Sequence, residues 1–506
     1  MSGLQCHKKL WFDSHDPIRA DSFIFHIGNR FGAFARIHYG AGVNLDNVKN
    51  PLEAVEATMR ALADPATAII YEAAFLFQDT LIRADVLQRV ANGWIMIEVK
   101  SSTRLKPEHI KDAAIQAYVI QACGLALGAT KIAHINNSFD YKGDGLYAGL
   151  ITEVDITAAV TDTLAEVPAW LATLLPLTAQ EAPVPIVAMG TQCREPHACD
   201  YAQRCTMGHP VTEFPVTLLP RVGKALAATW AEQGITDLRD LAPAHLATPQ
   251  WQMIQACHLN NVTWISQALQ ARLKSFAWPR FFLDFETIQQ GVPLIAHSRP
   301  YQAIPFQWSV HRWDTPEQIL TRDSGMGFLE YDAAGMDRRC LTTLLETLGQ
   351  AGPVFAHNAP TEIAALRTLV ARPGCDDLAP AVEDVIARIV DTLGMVRDGF
   401  YAPGLQGSYS LKQLVKVIPT TVDYANSTAL SGGGDAQLAW FHCTDDATLQ
   451  EEKALWTSRL KNYCAQDTLA LYDLLKYLGE SDCRSQAFYH PDDEHPLVDV
   501  MQASTA

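Results

Sequence analysis

Apolar and polar positions alternate with a period of two along Phe281-Phe282-Leu283-Asp284-Phe285-Glu286-Thr287. Phe281, Leu283 and Phe285 fall on one side and Phe282, Asp284 and Glu286 on the other, which predicts a buried strand carrying two acids. Pro353-Val354-Phe355-Ala356 predicts a second, short strand. A polar turn, His357-Asn358-Ala359-Pro360-Thr361-Glu362, then leads into the helical run Ile363–Leu366. Leu460–Leu469 lies in an amphipathic helix running on to Tyr477, and Tyr463 and Asp467, four apart, share its face. In the first half, Thr80–Leu87 and Trp94–Lys100 read as strands and a helix follows from Ile110. Leu218 to about Ser275 is helical, and Val292–Trp313 reads as a loop and strand continuing the later body. Ser431-Gly432-Gly433-Gly434-Asp435 reads as a flexible turn and not a phosphate loop, since no lysine follows. These elements predict a multidomain α/β chain: 1–210, a helical connector over 211–278, a mixed-sheet domain over 279–480, and a loose polar tail over 481–506.

Two carboxylates on one edge of an apolar strand cost several kcal/mol unless a cation lies between them. Hard oxygen ligands suit magnesium or manganese. Taken alone, a D-x-E also fits a strand end whose acids face solvent. Three motifs in order narrow the choice: D-x-E on a strand, H-N-x-x-x-acid opening a helix, and Y-x-x-x-D on a late helix. Over residues 279–480 they resemble the ribonuclease-H-like DEDD exonucleases of the tyrosine subtype (DEDDy). Such enzymes cleave phosphodiesters with two metal ions about 4 Å apart. The resemblance implies that Asp284 bridges both ions, that Glu286 and Asp467 complete one, and that Glu362 binds the other. It gives Tyr463 the attacking water, to orient or help deprotonate, and marks His357 and Asn358 as flanking residues. Glu362 stands where an aspartate is usual. Asp391 is a rival ligand, and a helix cap before Thr392-Leu393-Gly394-Met395 fits it about as well.

The first half holds a second constellation. Asp85 lies inside the Thr80–Leu87 strand, and Trp94–Lys100 ends in E-x-K, with Glu98 and Lys100 on one face. The following helix presents Gln116, with Tyr118 close by. A surface Glu/Lys cross-strand pair is the plain alternative, worth a few tenths of a kcal/mol. The whole pattern resembles the PD-(D/E)XK nucleases of the RecB type. It implies that Asp85 and Glu98 bind a metal, that Val99 lends its carbonyl, and that Lys100 polarises the attacking water. Glu72 sits where related enzymes often have a further acid. The chain departs from that family at Gly32, where a histidine is usual, and at Ile120, where a tyrosine is usual.

Cys193, Cys199 and Cys205 give two successive C-x5-C spacings, and Cys6 supplies a fourth thiol from the other end of the domain. One early and three late cysteines around a RecB-type domain resemble the iron–sulfur nucleases, including CRISPR-associated adaptation nucleases and AddB-like helicase–nucleases. Four thiolates suit a [4Fe–4S] cluster or zinc. Cys123, Cys257, Cys340, Cys375, Cys443, Cys464 and Cys483 lack such spacing and read as core fillers.

Composition sets limits on this picture. A chain of 506 residues suggests two to four domains. A formal charge of −17 argues against a broad electrostatic footprint for nucleic acid, though not against a local channel. Met1–Lys9 has no signal-peptide core, and the most apolar long stretch, 167–188, is broken by prolines and polar residues. Eleven cysteines, an odd number, point to free thiols and metal ligands inside the cell, with the cytoplasm as the expected compartment. Within the connector, Leu219-Pro220-Arg221-Val222-Gly223 and Glu232–Leu238 look like a helix-hairpin-helix, which offers backbone N–H groups to phosphate or serves as a packed spacer. Together the resemblances imply a bacterial family that fuses an iron–sulfur RecB-type nuclease to a ribonuclease-H-like exonuclease. The expected partner is nucleic acid, DNA before RNA, with no membrane. The competing expectation is a nucleic-acid-binding protein in which one or both sites are inactive.

Overall fold

Two sheets organise the chain. The computed structural model describes residues 1–18, 23–206, 212–332, 334–424, 430 and 432–481. The chain divides into two units: one spans 1–209 with 289–302, the other 210–288 with 303–506. Cys483 and the predicted tail beyond Ser481 lie outside the described residues. Among the described residues no helix is long and apolar enough to cross a membrane.

The first unit begins with α1 (Ser2–Gln5), α2 (His7–His15), α3 (Phe23–Tyr39) and α4 (Pro51–Ala63). Its sheet has six strands in sequential order: β1 (Val43–Asn44), β2 (Ile69–Phe77), β3 (Thr80–Val90), β4 (Gly93–Lys100), β5 (Leu127–Ile135) and β6 (Ile151–Asp155). β2, β3 and β4 form an antiparallel meander, while β4 and β5 run parallel. That parallel step needs a crossover, and α5 (Pro107–Ala122) supplies it. Pro107 suits the first helical position, where no N–H is needed. Ala113, Ala114 and Ala117 are buried and let α5 lie close on Phe75, Leu87 and Met96. Helices α6 (Thr157–Leu164), α7 (Val167–Leu174) and α8 (Ala202–Thr206) complete the unit. Residues 289–302, read from sequence as part of the later body, pack instead on Phe31, Ile135 and Leu150 through Val292 and Tyr301. Those apolar groups find their burial in the first unit, and Ser298 bridges Tyr141 there.

The second unit carries α9 (Lys224–Glu232), α10 (Pro249–Asn260), β7 (Trp264–Ile265) and α11 (Gln267–Ser275). Its main sheet consists of β8 (Arg280–Gln289), β9 (Ala303–Trp313), β10 (Met326–Leu329), β11 (Val354–Ala356) and β12 (Ile389–Asp391), in the order β10-β9-β8-β11-β12. β13 (Phe400–Tyr401) pairs with β7. Helices α12 (Met336–Leu348), α13 (Pro360–Val370), α14 (Ala379–Arg388), α15 (Thr392–Gly399), α16 (Leu411–Leu414), α17 (Gly433–Thr444) and α18 (Gln450–Glu480) surround this sheet.

β8 is the unit's centre. Its Phe281, Leu283 and Phe285 pack on Leu341, Leu344 and Leu366, as the period-two pattern requires. Phe282, on the other face, packs with Phe355, Tyr472 and Leu475. Trp251, Ile254 and Leu238 share that same core, so residues 212–278 are built into this unit and not a separate body. Gly352 lets β11 reach β8: at φ +91° it lies so close to Pro279 that a Cβ would meet that carbonyl oxygen at 2.0 Å. Gly433, Gly434 and Asp435, expected in a flexible turn, instead open α17, where Asp435 suits the first turn.

Candidate active sites

In the second unit, three elements converge on Asp284. β8 presents Asp284 and Glu286, the first turn of α13 presents Glu362, and α18 presents Tyr463, Cys464 and Asp467. Pro360 at the start of α13 and a left-handed Asn358 (φ 67°) set where Glu362 emerges. The Asn358 side chain donates to Thr361 Oγ1 at 2.8 Å, so its role is in the turn. Glu286 and Glu362 are buried, and Glu362 Oε2 has no hydrogen-bond partner.

Burial dominates the electrostatics of this cluster. It pushes Asp284 well above the usual carboxylate range, and Asp467, Glu286 and Glu362 add to the rise. Glu286 is raised to about 8 by burial and by Asp467, against the pull of Lys412. Glu362 is likewise raised to about 8, by burial first and by Asp391. Asp467 stands at about 6, because Tyr424 and Lys412 partly offset its burial. Four such groups cannot all ionise at neutral pH without a cation among them. The donor set therefore fits a hard divalent ion, and the orphaned Glu362 oxygen offers it a ligand.

Tyr463 also faces this cluster: burial, then Asp467, Glu286 and Asp284, push its phenol up. It therefore stays a hydroxyl and not a phenolate at neutral pH. Asp391 accepts from the amides of Leu393 at 3.2 Å, Gly394 at 3.3 Å and Ala359 at 3.2 Å, which is the capping alternative. His357 is held at both ring nitrogens, against Thr392 Oγ1 at 3.2 Å and the Tyr409 carbonyl at 2.8 Å, so it braces the turn.

Three residues without a sequence motif join the site. Tyr424 donates to Asp467 Oδ1. The Lys412 ammonium lies 5.2 Å from the Tyr463 ring centre and 5.6 Å from that of Tyr424. Cys464, expected as a core filler, is buried but also places its sulfur 3.6 Å from Asp284 Oδ2. Among the described residues, Asp284, Glu286 and Cys464 form the trio whose ligand atoms all lie within 4.8 Å of one another.

In the first unit, the predicted residues meet across three strands. The β2–β3 ladder pairs Tyr71 with Val86 and Ala73 with Ala84, leaving Glu72 and Asp85 between them. Glu72 takes a left-handed φ of 56°, a costly conformation for a residue with a side chain. Continuing the β3–β4 register from Val86–Ile97 sets Glu98 opposite Asp85. Like charges in such a row repel. Burial, with Asp85 beside it, raises Glu98 to about 8, while Asp85 stands at about 6 because the Val99 amide and Lys100 oppose its burial. Glu72 is raised as well, chiefly by burial.

Hydrogen bonds order this site. Lys100 Nζ donates to Glu98 Oε1 at 2.7 Å and to Asp112 Oδ2 at 2.6 Å. Burial alone would lower the lysine's pKa, but Glu98 and Asp112 outweigh it, so the ammonium stays charged. Gln116 Nε2 donates to Glu98 Oε2 at 2.7 Å, and the Val99 N–H donates to Asp85 Oδ2 at 2.7 Å. Asp112 carried no motif, although its four-residue spacing from Gln116 puts both on one face of α5. Tyr118 points elsewhere: it packs against the sheet core with its ring 6.1 Å from Phe77. Gly32 lies on α3 with nothing within 4 Å of where a Cβ would be.

The cysteine-bearing ends of the unit are laced together. Gln5 Nε2 donates to the carbonyls of Gln192 at 2.8 Å and His197 at 2.7 Å. Tyr201 donates to Asp13 at 2.7 Å, and the Cys199 N–H donates to the Cys193 carbonyl at 2.9 Å. Burial raises the Cys199 thiol, and nearby Cys205 and Cys6 add to it. A tetrahedral zinc with Zn–S bonds of ~2.3 Å holds its sulfurs roughly 3.8 Å apart. Among the described residues no three of these four sulfurs come within 4.8 Å of one another. Cys6 and Cys205 both act on Cys199, so thiols from the two ends of the unit come near one another.

The family described as a domain of unknown function (DUF2779) matches residues 281–410. That stretch includes Asp284, Glu286, Glu362 and Asp391 and stops short of Lys412, Tyr463 and Asp467. No curated protein and no solved structure matches the chain.

Proposed function

We propose that the chain is a metal-dependent nuclease that hydrolyses phosphodiester bonds, with DNA as the favoured substrate. The observation that carries the proposal is the convergence of Asp284, Glu286, Glu362 and Asp467 from three elements into one buried cluster. Those four carboxylates would hold Mg2+ or Mn2+. Ions held there would polarise phosphoryl oxygens and lower the pKa of bound water. Tyr463 orients the attacking water as a hydroxyl, Tyr424 fixes the Asp467 carboxylate, and Lys412 offers positive charge to the scissile phosphate. The three ordered motifs support a ribonuclease-H-like, 3′-5′ exonuclease reading of this unit.

The row of Glu72, Asp85 and Glu98 with Lys100 supports a PD-(D/E)XK reading of the first unit. Asp85 and Glu98 would hold an ion there, Gln116 fixes the Glu98 carboxylate, and Asp112 aims the Lys100 ammonium at water. Cys6, Cys193, Cys199 and Cys205 would hold a [4Fe–4S] cluster, with zinc as the alternative.

The test is a digestion panel: end-labelled single- and double-stranded DNA and RNA, with Mg2+ or Mn2+, and EDTA as control. Metal-dependent loss of label, abolished in the Lys100→Ala/Asp284→Asn double variant, is the expected result. No digestion of any substrate by folded, metal-supplied protein would overturn the proposal.

A further inference from the structure

Beside the Lys100 site the first unit reverses the charge of the chain. The loop that leaves β4 after Lys100 carries Ser101, Ser102, Thr103, Arg104 and Lys106. Residues 289–302 fold against it: the Tyr301 hydroxyl donates to the Ser101 carbonyl, and the Tyr301 N–H donates to Gln290 O at 2.8 Å. Gln302 Oε1 accepts from the Arg299 N–H at 3.0 Å, which shapes the tip of the segment.

Between loop and segment lies a cavity of about 800 Å3 whose charged lining is Arg104, Lys106 and Arg299, with no carboxylate among the residues that line it. Hydroxyls and amides make up most of the rest. Arg104 and Arg299 form no ion pair among the described residues, although the field of Arg299 reaches Asp140, itself held by Lys142. A second cavity, of about 1100 Å3, shares Ser101, Ser102, Lys106 and Tyr301 with the first and extends to Lys100, Lys111 and Lys9. Of the three carboxylates lining it, Asp112 is paired with Lys100 at 2.6 Å, Glu108 lies 3.8 Å from Lys106, and Glu195 is the third. The two cavities border one another at Ser101, Ser102, Lys106 and Tyr301.

We infer that the cavity lined by Arg104, Lys106 and Arg299 binds the sugar–phosphate backbone of a nucleic-acid strand beside Lys100. The inference rests on the nuclease reading of that site. Contacts from Arg104, Lys106 and Arg299 to phosphates would carry no sequence information, so the cavity should take any sequence.

The experiment uses the full chain without divalent metal and a fluorescein-labelled oligo-dT. Fluorescence anisotropy is read against salt, and acetylation of Lys106 is read by mass spectrometry with and without saturating strand. Arg104→Ala/Arg299→Ala should weaken binding tenfold or more. The slope of log affinity against log salt should fall by about 0.7 per lost phosphate contact. The strand should protect Lys106 from acetylation in the parent protein. Unchanged affinity and slope in the double variant overturns the inference, as does acetylation of Lys106 at the same rate with strand bound. Hydrolysis of bis(p-nitrophenyl) phosphate by the parent protein is measured separately, with Mn2+ supplied. Its absence counts against the nuclease reading alone, because strand binding and Lys106 protection are read without catalysis.

Discussion

Glu362→Gln should make the metal-free protein more stable at neutral pH while removing its response to metal. The Glu362 carboxyl is 4% exposed, and burial raises its pKa from 4.5 to about 8. The unfolded chain ionises this group near its ordinary value, so at pH 7 folding holds a proton that the unfolded state has released. Across about 2.5 pH units at 1.36 kcal/mol each, the penalty is about 3 kcal/mol. Because the folded pKa is the higher one, the penalty is absent below the unfolded pKa, grows as pH rises through 4.5 to 8, and is constant above. Gln keeps the shape without the titration. EDTA-treated parent protein should therefore lose stability between pH 5 and 8 more steeply than Glu362→Gln. At pH 7 the variant's second-unit transition should lie roughly 6–10 °C higher. Mn2+ at a hundredfold its Kd should stabilise the parent by about 2.7 kcal/mol and the variant far less. Asp391→Ala is the contrast: a lost cap costs about 1 kcal/mol and leaves the response to Mn2+ intact. Calorimetry across pH, with and without Mn2+, decides the matter. A Glu362→Gln protein less stable than its parent at pH 7, or one that responds fully to Mn2+, would refute the reasoning.

Lys100→Met leaves Glu98 and Asp112 without their shared cation, so the metal-free first unit should lose about 3–5 kcal/mol in calorimetry. The cleavage that survives in an Asp284→Asn background should vanish with it. Anaerobically purified protein should be brown, with iron and sulfide in equal amounts by chemical assay; Cys199→Ala should bleach it and lower thermal stability before chemistry is affected. Tyr463→Phe should slow hydrolysis about 10²-fold by losing water positioning. Tyr424→Phe removes a hydrogen bond that lowers the Asp467 pKa, so the acidic limb of the pH–rate profile should move to higher pH.

Motifs confined to one element were legible in the sequence because their periodicity is local. D-x-E alternates with apolar residues buried on both faces of β8, and Y-x-x-x-D repeats at the pitch of α18. E-x-K sits at the end of β4 for the same reason. Asp112 was within reach, since it is spaced from Gln116 as Tyr463 is from Asp467. Lys412 and Tyr424 were not: short, irregular stretches deliver them, and only tertiary packing brings them to Asp467. Cys464 lacked metal-ligand spacing because its partners, Asp284 and Glu286, lie on another element. The 289–302 segment follows β8 in sequence but leaves its unit, which no local pattern encodes. The connector reads as a separate helical body until Trp251 and Ile254 are seen in one core with Phe282.

The most direct test of a nuclease built on the Asp284 cluster is the digestion rate of a 3′-labelled DNA strand in Mn2+, measured for the parent and for Asp284→Asn, each in a Lys100→Ala background. Asp284→Asn keeps the side chain's shape and removes the charge at the centre of the cluster. The rate should fall by orders of magnitude while the variant stays folded, with a metal-free melting transition no lower than its parent's. Digestion by Asp284→Asn as fast as by its parent would contradict the account.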